Sequence, residues 1–164
     1  MNGPVALGEH VRLVPVDESN RRACLALRVH RTQHTLIASN EKSLEQASKN
    51  PHLVTRALVA ADRVVGFAMY ERRRDGSGYI WRVMVDEEHQ GHGLGRRLME
   101  LLLEELRAAG LRPVFISHRP ENRAAAQLFE SLGFFEVDFE ADGEVVRELR
   151  PATAGGQGDD RSAT

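Results

Sequence analysis

The stretch Gln90-Gly91-His92-Gly93-Leu94-Gly95 decides which fold this sequence can adopt, because it joins an apolar run to an amphipathic segment. Glycine permits positive φ angles and a close approach of backbone to ligand, and a helix N-terminus offers unpaired N–H groups with about half a positive charge. Arg96 and Arg97 follow directly, where cations oppose the helix dipole unless an anion is bound. We therefore predict a phosphate-binding loop; the alternative is a glycine-rich turn that only connects two elements.

Two other phosphate-binding loops fit this sequence less well. A Walker-type loop needs Lys-Ser or Lys-Thr after its last glycine, and Arg96-Arg97 stands there instead, which disfavours ATP and GTP. A dinucleotide-binding loop belongs to a fold that alternates strand and helix from its start, whereas three consecutive apolar runs precede these glycines. We therefore expect neither a nucleoside triphosphate nor a dinucleotide at this loop.

The segments before the glycines alternate like the strands of an antiparallel meander. Two apolar runs are separated by Ala61-Asp62-Arg63, which predicts a tight hairpin, and a third run is rich in β-branched and aromatic residues. A strand and two helices precede them. In chain order the predicted elements are the strand Val11–Val16, helices at Asn20–Val29 and Ser43–Ser48, and strands at Ala57–Ala60, Val64–Tyr70 and Tyr79–Asp86.

The segments after the glycines contain the clearest helix. Leucines recur on one face of Arg96–Ala109 and charged residues on the other, and Gly110 ends the pattern. The whole order predicts an α/β (α+β) fold, with a mixed and mostly antiparallel central sheet flanked by helices. The remaining predicted elements are the strand Val114–Ser117, the helix Arg123–Ser131 and a closing hairpin of Phe134–Phe139 with Val145–Leu149.

The composition predicts one soluble globular domain. The 164 residues are 41% hydrophobic and 28% charged, so we assign residues 1–150 to a single domain and expect a disordered tail over 151–164, where small and polar residues dominate. A net charge of -2 disfavours nucleic-acid binding, and no apolar run is long enough to span a membrane. A single cysteine, Cys24, and the lack of zinc-type Cys/His spacings predict a metal-free, cytoplasmic protein.

The glycine loop and its surroundings resemble the GNAT superfamily of N-acetyltransferases, whose pyrophosphate loop reads Gln/Arg-x-x-Gly-x-Gly/Ala. Asp86, Asn122 and the run Leu128-Phe129-Glu130-Ser131-Leu132-Gly133-Phe134 occur in the superfamily's order, and the resemblance covers Val11 to Leu149. It implies the GNAT fold and acetyl-CoA as co-substrate. Within the superfamily, bacterial diamine and spermine/spermidine acetyltransferases look similar to the segments Gln33 to Ala47, Val65 to Tyr70 and Ile80 to Asp86.

The resemblance also implies which groups hold acetyl-CoA. Backbone groups of one strand, Val83 to Val85, would pair with the pantetheine arm, and the loop up to Arg96 would hold the pyrophosphate. Asn122 would contact the cofactor, although capping of its own helix is an equally good interpretation. The full set implied is Val83, Met84, Val85, Gln90, Gly91, His92, Gly93, Leu94, Gly95, Arg96, Asn122 and Phe129.

Two positions depart from the catalytic pattern of the superfamily. Phe129 stands where a tyrosine often assists the leaving thiolate, and Trp81 stands where a carboxylate of polyamine-acetylating relatives can draw a proton away through water. Glu71 and Tyr70 are the candidate catalytic replacements, with a solvated charge and core packing as their respective alternatives. The remaining option is catalysis through orientation, with main-chain N–H groups of the Val83–Val85 strand stabilising the developing oxyanion.

The resemblance implies transfer of an acetyl group to a primary amine of a small molecule, with a polyamine or diamine as one acceptor class. Glu41, Glu45 and Glu71 are the acids expected near the entrance, and His118 is a candidate to face the cofactor sulfur. An aminoglycoside, a protein N-terminus and a non-catalytic acyl-CoA-binding or sensing role stay open as alternatives. The expected partners are acetyl-CoA and the amine, without nucleic acid or membrane, and a homodimer is compatible with each role.

Overall fold

Seven strands and four helices make up the part of the chain that the structure, a computed structural model, describes, namely residues 10–29 and 39–151. Their order agrees with the predicted one. The elements are β1 (Val11–Pro15), α1 (Arg21–Ala26), α2 (Asn40–Lys49), β2 (Leu53–Ala60), β3 (Arg63–Arg72), β4 (Gly78–Val85), a 3-10 turn (Glu87–His89), α3 (Leu94–Ala108), β5 (Val114–His118), α4 (Arg123–Ser131), β6 (Phe135–Phe139) and β7 (Val145–Leu149).

One seven-stranded sheet contains all of these strands, in the order β1-β2-β3-β4-β5-β7-β6. Only β4 and β5 pair in parallel, which confirms the mixed, mostly antiparallel sheet. Ala61 and Asp62 have φ angles of 48° and 59° and form the tight turn of the predicted β2–β3 hairpin. In the closing hairpin, β7 pairs with β5 and β6 forms the edge of the sheet. Local sequence patterns do not predict this order.

Helices cover the two faces of this sheet unequally. α3 packs on one face through Leu98, Leu102 and Leu106, which are at most 1% exposed. α1 and α2 pack on the opposite face, mainly against β3 and β2, where Cys24 joins a second apolar cluster. Toward β4 this second face is less covered, and Trp81 there is 46% exposed. Among the described elements, α3 therefore covers one face of the sheet, whereas α1 and α2 leave part of the other face uncovered.

The two helices before β2 differ in length from the prediction. α1 is shorter and ends at Ala26, because the chain becomes extended at Leu27. α2 is longer and begins at Asn40, because the side chain of Ser39 accepts a hydrogen bond from Lys42 N and caps the helix. A single capping serine therefore sets a boundary that the apolar pattern places three residues later.

Some expectations fall outside the described residues. Residues 31–40 have no clear sequence period, so we expect a loop there that either borders the site or only connects two elements; most of them lie in the segment 30–38. The predicted tail lies almost entirely in 152–164, so both stay predictions. Within residues 10–29 and 39–151, no helix is long and apolar enough to cross a membrane. Nor do three His, Cys, Asp or Glu side chains of those residues come together as a metal site.

Candidate active site

The site begins where β4 and β5 separate. Within the described strands, β4 and β5 pair only between Gly78–Ile80 and Val114–Ile116. The ladder from β4 to β3 also shifts next to Trp81, which is an extra residue in a β-bulge. Beyond the bulge, the backbone of residues 83–85 has a strand partner on one side only. Its remaining N–H and C=O groups on the β5 side are therefore placed to pair with a ligand.

Two cavities open into this gap and share part of their walls. The first, which we call the loop cavity, measures about 220 Å³ and lies between β4, the glycine loop, α3 and α4. The second, which we call the turn cavity, measures about 250 Å³ and lies between β4, β5 and the β6–β7 turn. Val83, Asn122, Ala125 and Phe129 line both cavities and mark their junction. Two ligands can therefore meet there after entering from different sides.

The glycine loop has the backbone geometry of an anion site. Gly91 and Gly93 have φ angles of 81° and 75°, in the left-handed region that favours glycine. Gly93 is the N-cap of α3 and has no capping side chain, and Arg97 N donates to its carbonyl oxygen at 3.1 Å. The N–H groups of residues 94–96 therefore have no partner within the helix. These groups fit the diphosphate of a CoA-type ligand.

The two arginines after the loop are held by the protein itself. Arg96 Nε lies 3.3 Å from Glu100 Oε1, and its Nη1 donates to Ser131 Oγ at 2.8 Å. Arg97 Nη1 lies 3.4 Å from Glu100 Oε2. Because these side chains are largely exposed, each pair contributes little stability. Glu100 nevertheless offsets part of the positive charge of these two arginines. From the sequence alone, we expected a bound anion to offset that charge.

The loop is joined to the end of β4 by Gln90, whose Nε2 donates to the carbonyl oxygen of Val85 at 3.0 Å. Leu94, only 2% exposed, forms part of the wall beneath it. The predicted cofactor residues all line the loop cavity, except His92 and Arg96. The fold thus brings most of the predicted set together around one cavity.

Replacing Gly91 by alanine is expected to weaken CoA binding about tenfold. Alanine at a φ of 81° is strained by roughly 1–2 kcal/mol, so the loop would leave the left-handed region and its N–H groups would move. The control is Gly76→Ala in the β3–β4 turn, because Gly76 has a φ of 88° and equally open space for a methyl group. Calorimetric titration with CoA should separate the two variants; equal affinities would contradict a binding role for the loop.

Asn122 supports both interpretations that the sequence left open. Its Oδ1 accepts a hydrogen bond from Ala125 N at 3.2 Å and caps α4. Its side chain also lines both cavities, and its Nδ2 has no hydrogen-bond partner among the residues described. One atom therefore caps the helix while the other remains available to donate at the junction.

Asn122→Asp is expected to separate these two roles. Aspartate keeps the capping oxygen, so the free energy of unfolding should stay within about 0.5 kcal/mol of wild type. The amide donor is lost, so the KM for acetyl-CoA should rise roughly tenfold. Asn122→Ala is the matched control, because it should lose about 1 kcal/mol of stability as well. Urea unfolding and steady-state kinetics measure both effects, and an unchanged KM in Asn122→Asp would leave only the capping role.

Phe129 and His118 give the junction a fixed wall. His118 Nδ1 lies 2.9 Å from the carbonyl oxygen of Arg119, and its Nε2 lies 2.9 Å from Arg147 Nε. Because Arg147 can only donate, Nε2 must accept and Nδ1 must carry the proton. Both ring nitrogens of His118 are therefore engaged, and neither has a free lone pair with which to act as a base. Phe129 packs 5.9 Å from this ring, is 3% exposed and brings no hydroxyl to the junction.

The two candidate catalytic residues lie away from the junction. The Tyr70 hydroxyl donates to Glu105 Oε2 at 2.6 Å, near the end of α3 opposite the glycine loop, and burial together with Glu105 raises the Tyr70 pKa. Glu71 accepts from Trp81 Nε1 at 2.9 Å and lies 3.7 Å from Arg73 Nε. Neither residue lines the loop cavity or the turn cavity. Strand alternation directs Tyr70 into the core, and Trp81 and Arg73 hold Glu71 on the sheet surface, so both candidates lie outside the two cavities.

Sequence reasoning missed two polar residues of the turn cavity, Glu144 and Arg82. Glu144 Oε2 accepts from Ser117 Oγ at 3.0 Å. Arg82, 7% exposed, donates twice to Asn40 Oδ1, at 3.1 and 3.0 Å, and burial lowers its pKa to about 10, so it stays charged at neutral pH. No local pattern marks these residues as neighbours, since the signal near Glu144 is only that of a turn.

A glycine loop of this geometry beside a gap in a mixed sheet places the protein among the acyl-CoA-dependent transferases. Comparison gives the particular family: residues 11–134 match the model of the Acetyltransferase (GNAT) family, and the chain belongs to that family. The resemblance seen in the sequence is thereby confirmed. The protein is an acyltransferase, and acetyl-CoA is its acyl donor.

Relatives with assigned activities differ in the acceptor named for them. A spermine/spermidine N(1)-acetyltransferase of Bacillus subtilis is 29% identical over 85% of this chain and 99% of its own length. A ribosomal-protein alanine N-acetyltransferase of Salmonella typhimurium is 39% identical, but over only 49% of this chain and 53% of its own length. The comparison of sequences thus shows the family and leaves the acceptor to be argued from the site.

Solved structures share the fold at low identity. A Bacillus subtilis acetyltransferase in complex with CoA has a TM-score of 0.69 at 16% identity, covering 87% of this chain and 99% of that one. A ribosomal-protein-alanine N-acetyltransferase from Brucella melitensis has a TM-score of 0.68 at 22% identity, covering 85% of this chain and 99% of that one. Both similarities confirm the predicted fold class.

Proposed function

We propose that this protein acetylates a primary amine of a small molecule and that its acceptor is a diamine or polyamine. The observation that carries the proposal is the junction of the loop cavity with the turn cavity at Val83, Asn122 and Phe129. Acetyl-CoA supplies an activated acetyl thioester, which we assign to the loop cavity. The amine then reaches the junction through the turn cavity, on the sheet face that α1 and α2 leave partly open.

The transfer forms a C–N bond, breaks a C–S bond and requires a neutral amine. The amine loses one proton and the departing thiolate gains one. A thiol pKa of about 8.5 lets the thiolate leave without an acid in contact with it. The four described side chains at the junction, Val83, Asn122, Ala125 and Phe129, include no base. Protons therefore exchange with solvent through the turn cavity, and orientation with backbone N–H donation from β4 supplies the rate enhancement.

Two observations support a diamine or polyamine as the acceptor. The spermine/spermidine acetyltransferase relative matches this chain over 99% of its own length. The turn cavity also contains the carboxylate of Glu144, which attracts ammonium groups. The acids predicted from the sequence are placed elsewhere: Glu41 and Glu45 are exposed on α2, and Glu45 Oε1 lies 3.1 Å from Lys49 Nζ.

The proposal is tested by following CoA release with a panel of amines, namely spermidine, putrescine, an aminoglycoside and a lysine peptide. We expect release with spermidine or putrescine. CoA release only with the aminoglycoside or the peptide would contradict a diamine or polyamine acceptor, but not the acetyltransferase activity. If calorimetry shows that acetyl-CoA binds but no amine of the panel causes CoA release, the proposed reaction is overturned.

A thiol reagent is a suitable detector of this release, because the protein presents no reactive thiol of its own. Cys24 is the single cysteine, and it is fully buried in the cluster beneath α1. Burial, and to a smaller extent the charge of Asp17, raises its pKa to about 11. At pH 8 its thiolate is therefore about 100-fold less populated than that of a thiol with a pKa of 9.0. The thiol reagent therefore reacts with released CoA and not with the protein.

A further inference from the structure

The ring of Trp81 is held in one orientation and yet faces the turn cavity. It stacks on Tyr79 with a centroid distance of 4.3 Å, and its Nε1 donates to Glu71 Oε2 at 2.9 Å. Arg73 lies 4.4 Å from the centroid of the Tyr79 ring and supports this stack. The indole is nevertheless 46% exposed and lines the cavity. A fixed, exposed indole face is a surface that attracts cations.

Glu144 reaches the same cavity from the β6–β7 turn. Its backbone is fixed by hydrogen bonds from its own N–H to Asp142 Oδ1 at 3.0 Å and from Glu140 N to its carbonyl oxygen at 2.8 Å. Its Oε2 accepts from Ser117 Oγ at 3.0 Å. Across residues 10–29 and 39–151 its carboxylate forms no ion pair. An anchored carboxylate without a cation is therefore available to a ligand.

A buried positive charge also lines the turn cavity. Arg82 adjoins Val83 in β4, and its guanidinium donates to the neutral side chain of Asn40. Arg119 also lines this cavity, and Glu144 is the one carboxylate among its described lining residues. An ammonium group in the turn cavity is therefore repelled by the two arginines and attracted to Glu144.

We infer that Trp81 and Glu144 form a subsite for a second ammonium group of the acceptor, separate from the amine that is acetylated. The inference rests on the proposed function and names the residues that select its substrate. The ammonium contacts the free face of the indole and pairs with Glu144, the carboxylate that lines the cavity. The ligand class is an alkyl diamine or polyamine whose nitrogens are separated by several methylene groups.

The test compares kcat/KM for 1,4-diaminobutane with kcat/KM for butylamine, which has the same carbon chain and one amine. We expect wild type to prefer the diamine by about 30-fold, the size of a cation–π contact combined with an ion pair. Glu144→Gln and Trp81→Leu should each lower this preference about fivefold, mainly through KM for the diamine. The matched control is Glu140→Gln, a neighbouring carboxylate that binds the Tyr79 hydroxyl at 2.9 Å outside the cavity.

Each outcome separates the subsite from the proposed function. A preference within twofold of wild type in both variants, or an equal loss in Glu140→Gln, overturns the subsite. If the wild-type protein releases CoA with neither amine, the proposed function is overturned instead. The subsite is then judged by calorimetry of 1,4-diaminobutane with the CoA-bound protein, where Glu144→Gln must weaken binding and Glu140→Gln must not. Thermal unfolding checks each variant, and Trp81→Met, which keeps apolar bulk without an aromatic face, replaces Trp81→Leu if the latter is unfolded.

Discussion

Replacing Gly66 by alanine is expected to lower the free energy of unfolding by about 2–3 kcal/mol and to weaken CoA binding at least tenfold. An added Cβ would lie 2.8 Å from the carbonyl oxygen of Met84 and 3.2 Å from Leu58 Cβ. Neither atom can rotate away, so β3 and β4 would have to separate. Since Met84 lies in the stretch of β4 beside the loop cavity, this separation moves the backbone groups that face the cofactor.

The control for this prediction is Gly78→Ala at the start of β4. Its Cβ would come even closer to a neighbour, 2.5 Å from Leu106 Cδ2, but that atom is the end of a flexible side chain. We expect this variant to lose about 1 kcal/mol and to keep its affinity for CoA. Urea unfolding and calorimetric titration measure both quantities. A larger loss in Gly78→Ala than in Gly66→Ala would show that the side-chain contact, not the backbone contact, limits the packing.

Phe129→Tyr is expected to raise kcat about tenfold, because it brings a proton donor to the wall of the junction. Phe129 lines both cavities, so a hydroxyl added to its ring belongs to the wall of the junction. Tyrosine is also the residue that the superfamily often carries at this position. The donor would assist the departing thiolate, which otherwise takes its proton from solvent. Single-turnover measurement of CoA release tests this expectation.

The matched control is Phe134→Tyr, because Phe134 packs 6.0 Å from Phe129 but lines neither cavity. A hydroxyl there enters the core, so we expect a loss of roughly 1–3 kcal/mol in stability and no gain in rate. An unchanged rate in Phe129→Tyr would mean that thiolate departure is not the slow step. The absence of a tyrosine would then have little consequence for this enzyme.

The cofactor side of the protein could be predicted from the sequence to a large extent. The leucine pattern of α3, the glycines before it and the β2–β3 turn are local signals, and the structure places them as expected. Helix α4 even has the predicted bounds, Arg123–Ser131. Each of these signals depends on residues close together in the chain, so its physical effect does not require knowledge of the rest of the fold.

The acceptor side could not be predicted in the same way. Tyr70 and Glu71 are good candidates by residue type and position in a strand, but one is bound to Glu105 in the core and the other to Trp81 on the sheet surface. Conversely, Glu144 carries no chemical signal in the sequence, and its position depends on β7 pairing with β5. The expected acids of α2 instead face solvent.

By itself, the sequence determined the order of the elements, the glycine loop at the start of α3 and the family. It did so because glycine conformation, helix caps and apolar periodicity act over a few residues. Only the tertiary structure decided where β4 leaves β5, how the two cavities meet at Phe129, and that Trp81 and Glu144 line the same cavity. Those features depend on strand register and on a β-bulge, which arise from pairing between segments far apart in the chain.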